Sequence, residues 1–194
     1  MTATAATPCI AFEGPRQIAS GPLAYVAVIV KQASERGGGA PVLIFDADTA
    51  RPVEIDLRGE VAEVLGRLPP GNPAQDPDVK RGPGRPKLGV TAREVTLLPR
   101  HWEWLAAQPG GASVALRKLV EDARKASGAK DERRARQEAA YRFMTAMAGD
   151  ETHYEEATRA LFAGDAGRFE AATADWPQDV RLQAERFAAA SFGV

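Results

Sequence analysis

Apolar positions along the chain fall into two rhythms, and the change from one to the other divides it. Pro8 to Phe12 is a short apolar run, and Gln17 to Ala19 follows a Gly14-Pro15 turn, which together predict a hairpin. Ser20-Gly21-Pro22 then opens a helix. Its Leu23, Val26, Ala27 and Val30 recur at helical spacing and mark a face turned to a core, and Gly37-Gly38-Gly39 ends it. The apolar run Val42 to Phe45 reads as a buried strand. Asp46-Ala47-Asp48-Thr49-Ala50 supplies turn chemistry. Val53, Ile55 and Leu57 then alternate with Glu54 and Asp56, predicting a second hairpin with one wet face. A short helix carrying Val61, Val64, Leu65 and Leu68 completes a ββαββα order, a small α+β domain over residues 8–69.

From residue 70 to 92 the periodicity stops. Pro69-Pro70-Gly71-Asn72-Pro73 begins a Pro-rich stretch that reads as an extended, solvated linker. Period-two patterning returns at Arg93 to Leu98, with Val95 and Leu97 on one face and Glu94 and Thr96 on the other. Pro99 ends that strand and suits the first turn of a helix. Trp102, Leu105 and Ala106 mark the core face of this helix, and Trp104 lies off it. Pro109-Gly110-Gly111 breaks the chain. Ser113 is placed to cap a second helix with Leu116, Leu119, Val120 and Ala123 as its stripe, and Ser127-Gly128 is placed to end it. Residues 129–194 then read as a helical region. Its apolar markers are Ala140, Phe143, Met144 and Met147, then Tyr154, Ala157 and Leu161 up to Gly164, then Phe169. A last helix after Asp175-Trp176-Pro177 carries Val180, Ala184, Phe187 and Ala188. The expected fold class is α+β, mostly helical.

Charge changes this picture at one place. The 194 residues carry a net charge of −1, which by itself argues against a nucleic-acid partner. Residues 80–149, however, hold 15 Lys and Arg against 7 Asp and Glu, while the segments before and after hold 6 against 10 and 4 against 9. Local field, not total charge, governs binding, so a basic centre between two acidic flanks points to an anionic partner. No apolar run approaches the length needed to span a bilayer, no secretory leader is evident at the N-terminus, and Cys9 is the single cysteine. These point to a cytoplasmic protein without disulfides.

Candidate chemistry is sparse. Gly37-Gly38-Gly39 is not followed by Gly-Lys-Ser/Thr and so is not a phosphate loop. Asp46 and Asp48 could hold a metal, but they stand where a turn needs Asp. Cys9 has no basic neighbour in sequence to activate it and reads as a buried small hydrophobe. His153 with Glu155 and Glu156 does not share a helix face well, and His101 has no evident carboxylate partner. No catalytic residue, metal ligand or cofactor site is expected.

Three resemblances bear on function. Lys80-Arg81-Gly82-Pro83-Gly84-Arg85-Pro86-Lys87 resembles the AT-hook, whose Arg-Gly-Arg-Pro core lies in the narrow minor groove of A·T-rich DNA. Pro83 stands where the first core arginine belongs, so phosphate contact by Lys80, Arg81, Arg85 and Lys87 is the expectation carried forward. The strand, short helix, Gly turn and Ser-started helix of residues 93–128 resemble the ribbon-helix-helix fold of Arc- and MetJ-type repressors. That resemblance implies a homodimer formed through the 93–98 strands, and a ribbon in the major groove with Arg93, Glu94 and Thr96 on or near it. It also implies a phosphate on Ser113 and the N–H groups that follow. The alternation puts Arg93 in phase with Val95 and Leu97, leaving Glu94 and Thr96 as the outward readers. Over nearly its full length the chain also resembles a bacterial family known as domain of unknown function 2239, through Leu97-Leu98-Pro99-Arg100-His101-Trp102-Glu103-Trp104-Leu105 and Gln108-Pro109-Gly110-Gly111-Ala112-Ser113. That family implies no activity. The expectation is a homodimeric, nucleoid-associated DNA-binding protein, a transcriptional regulator or nucleoid-type binder with double-stranded DNA as partner. The alternative is a protein-interaction or antitoxin-like module that dimerises without binding DNA. The N-terminal domain could take a protein partner in either case.

Overall fold

The computed structural model describes residues 3–37, 39–70, 91 and 93–192. Two compact units divide the chain: residues 1–73 together with 130–194, and residues 74–129.

The first unit is built on strand β1 (Pro8–Glu13). It pairs antiparallel with β2 (Arg16–Pro22) on one edge and with β3 (Val42–Asp46) on the other, giving the order β2-β1-β3. A central strand covered on both faces has no wet side, which is why Cys9-Ile10-Ala11-Phe12 is continuously apolar instead of alternating. Cys9 and Ala11 face one core with Ala19 and Ile44. Helix α1 (Leu23–Arg36) supplies Leu23, Val26 and Val30 to it. Ile10, Phe12 and Phe45 face a second core on the other side. The first hairpin, the α1 stripe and the β3 strand all form as their periodicity indicates. A register shift between Ala11 and Phe12 adds one residue to the β2 side.

The fourth strand is a correction. Residues 53–57 form no ladder: pairing is reduced to an isolated bridge between Phe45 and Pro52. The turn before it is well formed. Asp46 Oδ1 accepts from the Asp48 and Thr49 amides and the Thr49 hydroxyl at 3.0, 2.8 and 2.9 Å. Ala50 then takes a positive φ of 51°, and its amide donates to the Asp46 carbonyl at 2.9 Å. The Asp46 amide donates to the Arg51 carbonyl at 2.9 Å and the Val53 amide to the Ile44 carbonyl at 2.8 Å, one on each side of the Phe45–Pro52 bridge, and among the described residues no rung follows beyond Val53. Val53, Ile55 and Leu57 are half-buried against the α1-side core, so their alternation reports burial and not pairing. Asp56 is bonded by the Arg58 side chain and amide and faces Arg67, which holds its carboxyl well below the usual carboxylate range. The short helix α2 (Val61–Arg67) follows, with Val64 buried.

The C-terminal quarter is helical as expected, but it is not a separate domain. Helices α3 (Pro99–Ala106) and α4 (Gly111–Ala148) precede α5 (Tyr154–Ala163), α6 (Ala166–Thr173) and α7 (Gln178–Ala189). Ala140, Phe143 and Met144 of α4, Leu161 of α5, Phe169 of α6 and Phe187 of α7 join Ile10, Phe12 and Phe45 in one core. Phe143 is its hub, with ring centroids 5.4 Å from Phe12, from Phe45 and from Phe187. Gly164 in the left-handed region ends α5, and the Asp165 side chain caps α6 by accepting from the Arg168 amide at 3.0 Å. Trp176 is buried, and its indole N–H donates to the Thr152 carbonyl at 2.8 Å.

Candidate nucleic-acid interface

The second unit holds the residues expected to meet DNA. Lys80, Arg81, Arg85 and Lys87 lie outside the described residues. Arg93, Glu94 and Thr96 are exposed, in a stretch of 93–98 that has no regular secondary structure in the single chain. The expected strand is therefore absent there.

Helix α3 starts at Pro99, with Leu98 extended before it (φ −66°, ψ 149°), as the sequence indicated. The turn after it needs glycine. Gly110 has φ 85°, and a Cβ there would press on Val114 side-chain atoms at 3.1 Å. The Gly111 amide donates to the Gln108 carbonyl at 2.9 Å, and α4 begins.

Two expectations about α4 are corrected. Ser113 is not its cap: the helix starts two residues earlier, and the Ser113 carbonyl accepts from Arg117 Nε at 3.0 Å inside the first turns. Ser127-Gly128 does not end it: the helix runs 38 residues to Ala148. The segments read as separate helices on either side of Ser127-Gly128 are one helix. Ala123, Ala126 and Ala129 carry strong helix propensity across the weak pair, and Ser and Gly inside a helix cost only about 0.5–1 kcal/mol each.

Burial separates this unit from the first. Leu105 and Ala115 are buried. Val95, Leu98, Trp102, Trp104, Leu119 and Val120 are each at least 40% exposed. Trp102, expected in a core, is 40% exposed, whereas Leu105 on the same face is buried: the face is covered at Leu105 and open at Trp102 and Leu98. Leu116, Leu119, Val120 and Ala123 fall on one side of α4. Arg117, Lys118, Glu121, Asp122, Arg124 and Lys125 occupy the other. The first-turn N–H groups of α4 have no intrahelical acceptor, which gives that end a partial positive charge.

The first unit offers different chemistry. A cavity of ≈ 1040 Å³ is lined by the Asp46–Thr49 turn, the 51–55 segment and α4 residues from Glu132 to Arg142. Arg51, Arg136 and Arg142 line it together with Asp48, Glu54 and Glu138, so its lining carries both signs. Arg142 donates to the Thr49 carbonyl and bridges Glu138 at 3.8 Å. Asp46, one of the two carboxylates weighed as a metal ligand, is engaged by its own turn. Among the described residues no group of three His, Cys, Asp or Glu side chains is placed to hold a metal ion. Cys9 is buried beside its strand partner Asp46. Burial first, and the Asp46 carboxylate second, push its thiol up to about 11. The cavity had no signature in the sequence, because its walls come from segments some 80 residues apart.

Together these elements define a mostly helical α+β protein with a three-stranded antiparallel sheet and an uncovered apolar helical face. Residues 8–188 match the family described as uncharacterized protein conserved in bacteria, DUF2239, and the chain belongs to that family. No curated protein and no solved structure matches the chain. No helix among the described residues is long and apolar enough to cross a membrane.

Proposed function

We propose that the protein is a homodimeric DNA-binding protein, a regulator or nucleoid-type binder, in which residues 93–128 dimerise and the basic segment 80–93 contacts phosphate. The observation that carries this reading is the uncovered apolar set Val95, Leu98, Trp102, Leu119 and Val120. Apolar surface gathered on a short extended segment and two helices is costly to leave in water, at roughly 25 cal/mol per Å². A second copy pairing its 93–98 segment and packing its helices would cover it. The same pairing would set two basic segments side by side, with Arg93 and Thr96 near the duplex and the α4 N-terminus near a phosphate. Association driven by phosphate neutralisation weakens steeply with salt.

Salt titration against a mixed-sequence and an A·T-rich duplex, with the mass of the free protein measured alongside, tests the reading. A dimer that binds with a steep salt slope is expected, and Arg85→Ala with Lys87→Ala should lower affinity on both duplexes. A monomer, or a dimer silent on both duplexes at low salt, would rule it out.

One observation favours dimerisation without DNA. The polar side of α4 carries both signs at helical spacing: Arg117, Glu121 and Lys125 succeed one another four residues apart, and Arg124 bridges Glu121 at 3.5 Å. That pattern stabilises a solvated helix and presents no uniform field to a phosphate backbone. The silent dimer is the outcome that selects this second reading.

A further inference from the structure

We infer that α4 is jointed at Ser127-Gly128: the helix opens locally there, between one half anchored in a core and another that is not. The anchored half is fixed by Ala139, Ala140, Phe143 and Met144, all buried. From Arg117 to Ala135 every residue is exposed except Ser127, which is half-buried. Tertiary packing is the main source of helical stability in proteins, so this stretch rests on local terms alone.

Those terms fail at one place. Gly is the weakest helix former after Pro, and Ser-Gly pairs are a recognised cause of helix bending. A Cβ added at Gly128 would meet nothing within 4 Å, so no close approach demands glycine there. Side-chain pairing stops at the same point. Arg124 bridges Glu121, and Arg134 bridges Asp131, both at 3.5 Å. Between them Ala126-Ser127-Gly128-Ala129 carries no charge, and no opposite-charge pair at i,i+3 or i,i+4 can span the Ser127–Gly128 bond. The division of the chain into two compact units also falls beside it, between Ala129 and Lys130. Weak propensity, absent packing, absent pairing and a unit boundary coincide within a few residues. The joint gives the half of α4 before Gly128 freedom to change direction while the half after Lys130 stays in its core. It does not depend on DNA binding, and its test uses no nucleic acid.

Hydrogen exchange on the full chain reads the joint directly. Amides of residues 125–131 should exchange at least tenfold faster than those of 139–147, and faster than those of 115–120, which lie beyond the unbonded first turn. Gly128→Ala should slow the 125–131 amides about fivefold and leave 139–147 unchanged. Nitroxide labels at Lys118→Cys and Arg133→Cys, with buried Cys9 unlabelled, give the geometry. A straight helix sets their backbones about 22 Å apart. A broad distribution reaching below that distance, narrowing in the Gly128→Ala variant, is expected. Equal protection along α4, or a single narrow distance near 22 Å in the unsubstituted chain, would overturn the joint. So would 115–120 exchanging as fast as 125–131, because the whole half would then be frayed.

Discussion

At the scale of single residues, Cys9 and Phe143 bear the clearest consequences. The Cys9 thiol is buried and held up to about 11, against an ordinary value of 9.0. The folded chain therefore keeps its proton where the unfolded chain loses it. That contribution to stability is fully present below pH 9 and fades as pH rises toward 11, by roughly 3 kcal/mol at most. Urea midpoints measured from pH 8 to pH 11 should fall in the unsubstituted protein and fall less in Cys9→Ala. Iodoacetamide at pH 8 should leave the native thiol unmodified and alkylate it in urea. Phe143→Ala removes the ring that touches Phe12, Phe45 and Phe187, and should destabilise by about 3–5 kcal/mol in equilibrium unfolding. The sequence made the burial of both residues legible, Cys9 from its apolar neighbours and Phe143 from its stripe. It also suggested burial for Trp102, which is exposed: spacing identifies a face and says nothing about whether anything lies on it.

At the scale of elements, legibility followed the number of independent signals. Helices α5 and α7 carry both a stripe and a stop or start, and each lies where its pattern puts it, while α6 is marked by Phe169 alone. The 53–57 segment has a clean alternation, but its pairing with β3 ends at the Val53 amide, and the alternation reflects packing against the α1-side core. Helix α4 shows the opposite case, where a stop signal was present and was overridden by the alanines around it. Caps are the most directly testable of these local devices. Asp165 accepts from the Arg168 amide at the start of α6, a helix of only 8 residues with Phe169 in the core. Asp165→Ala should cost about 1 kcal/mol, read as a lowered urea midpoint with an unchanged slope, and Asp165→Ser should restore most of it. An unchanged midpoint in Asp165→Ala would mean that packing of Phe169 alone holds the turn.

At the scale of the whole molecule, the point hidden from the sequence is that the first 70 residues and the last 65 share a core. Composition and linker signals predicted separate domains at 8–69 and 129–194, because a Pro-rich boundary lies between them. A boundary in sequence does not prevent the chain from returning. Ile10, Phe12 and Phe45 line one face of the sheet, and α1 covers only the other. Without Phe143, Met144 and Phe187 that face would meet water, a cost of roughly 1.5–3 kcal/mol for each large side chain left exposed. A fragment of residues 1–70 should therefore show no cooperative unfolding transition by circular dichroism or tryptophan-free tyrosine fluorescence. Adding a fragment of residues 130–194 should restore one, with the two pieces eluting together. A cooperative transition in the first fragment alone would show that the α1-side core suffices, and the helices would then be an attachment to a domain already complete. Restoration by the second fragment would instead make residues 74–129 an insertion between two parts of a single folding unit. It would also explain why that stretch can leave its own apolar face uncovered: the core that holds the rest of the chain together does not require it.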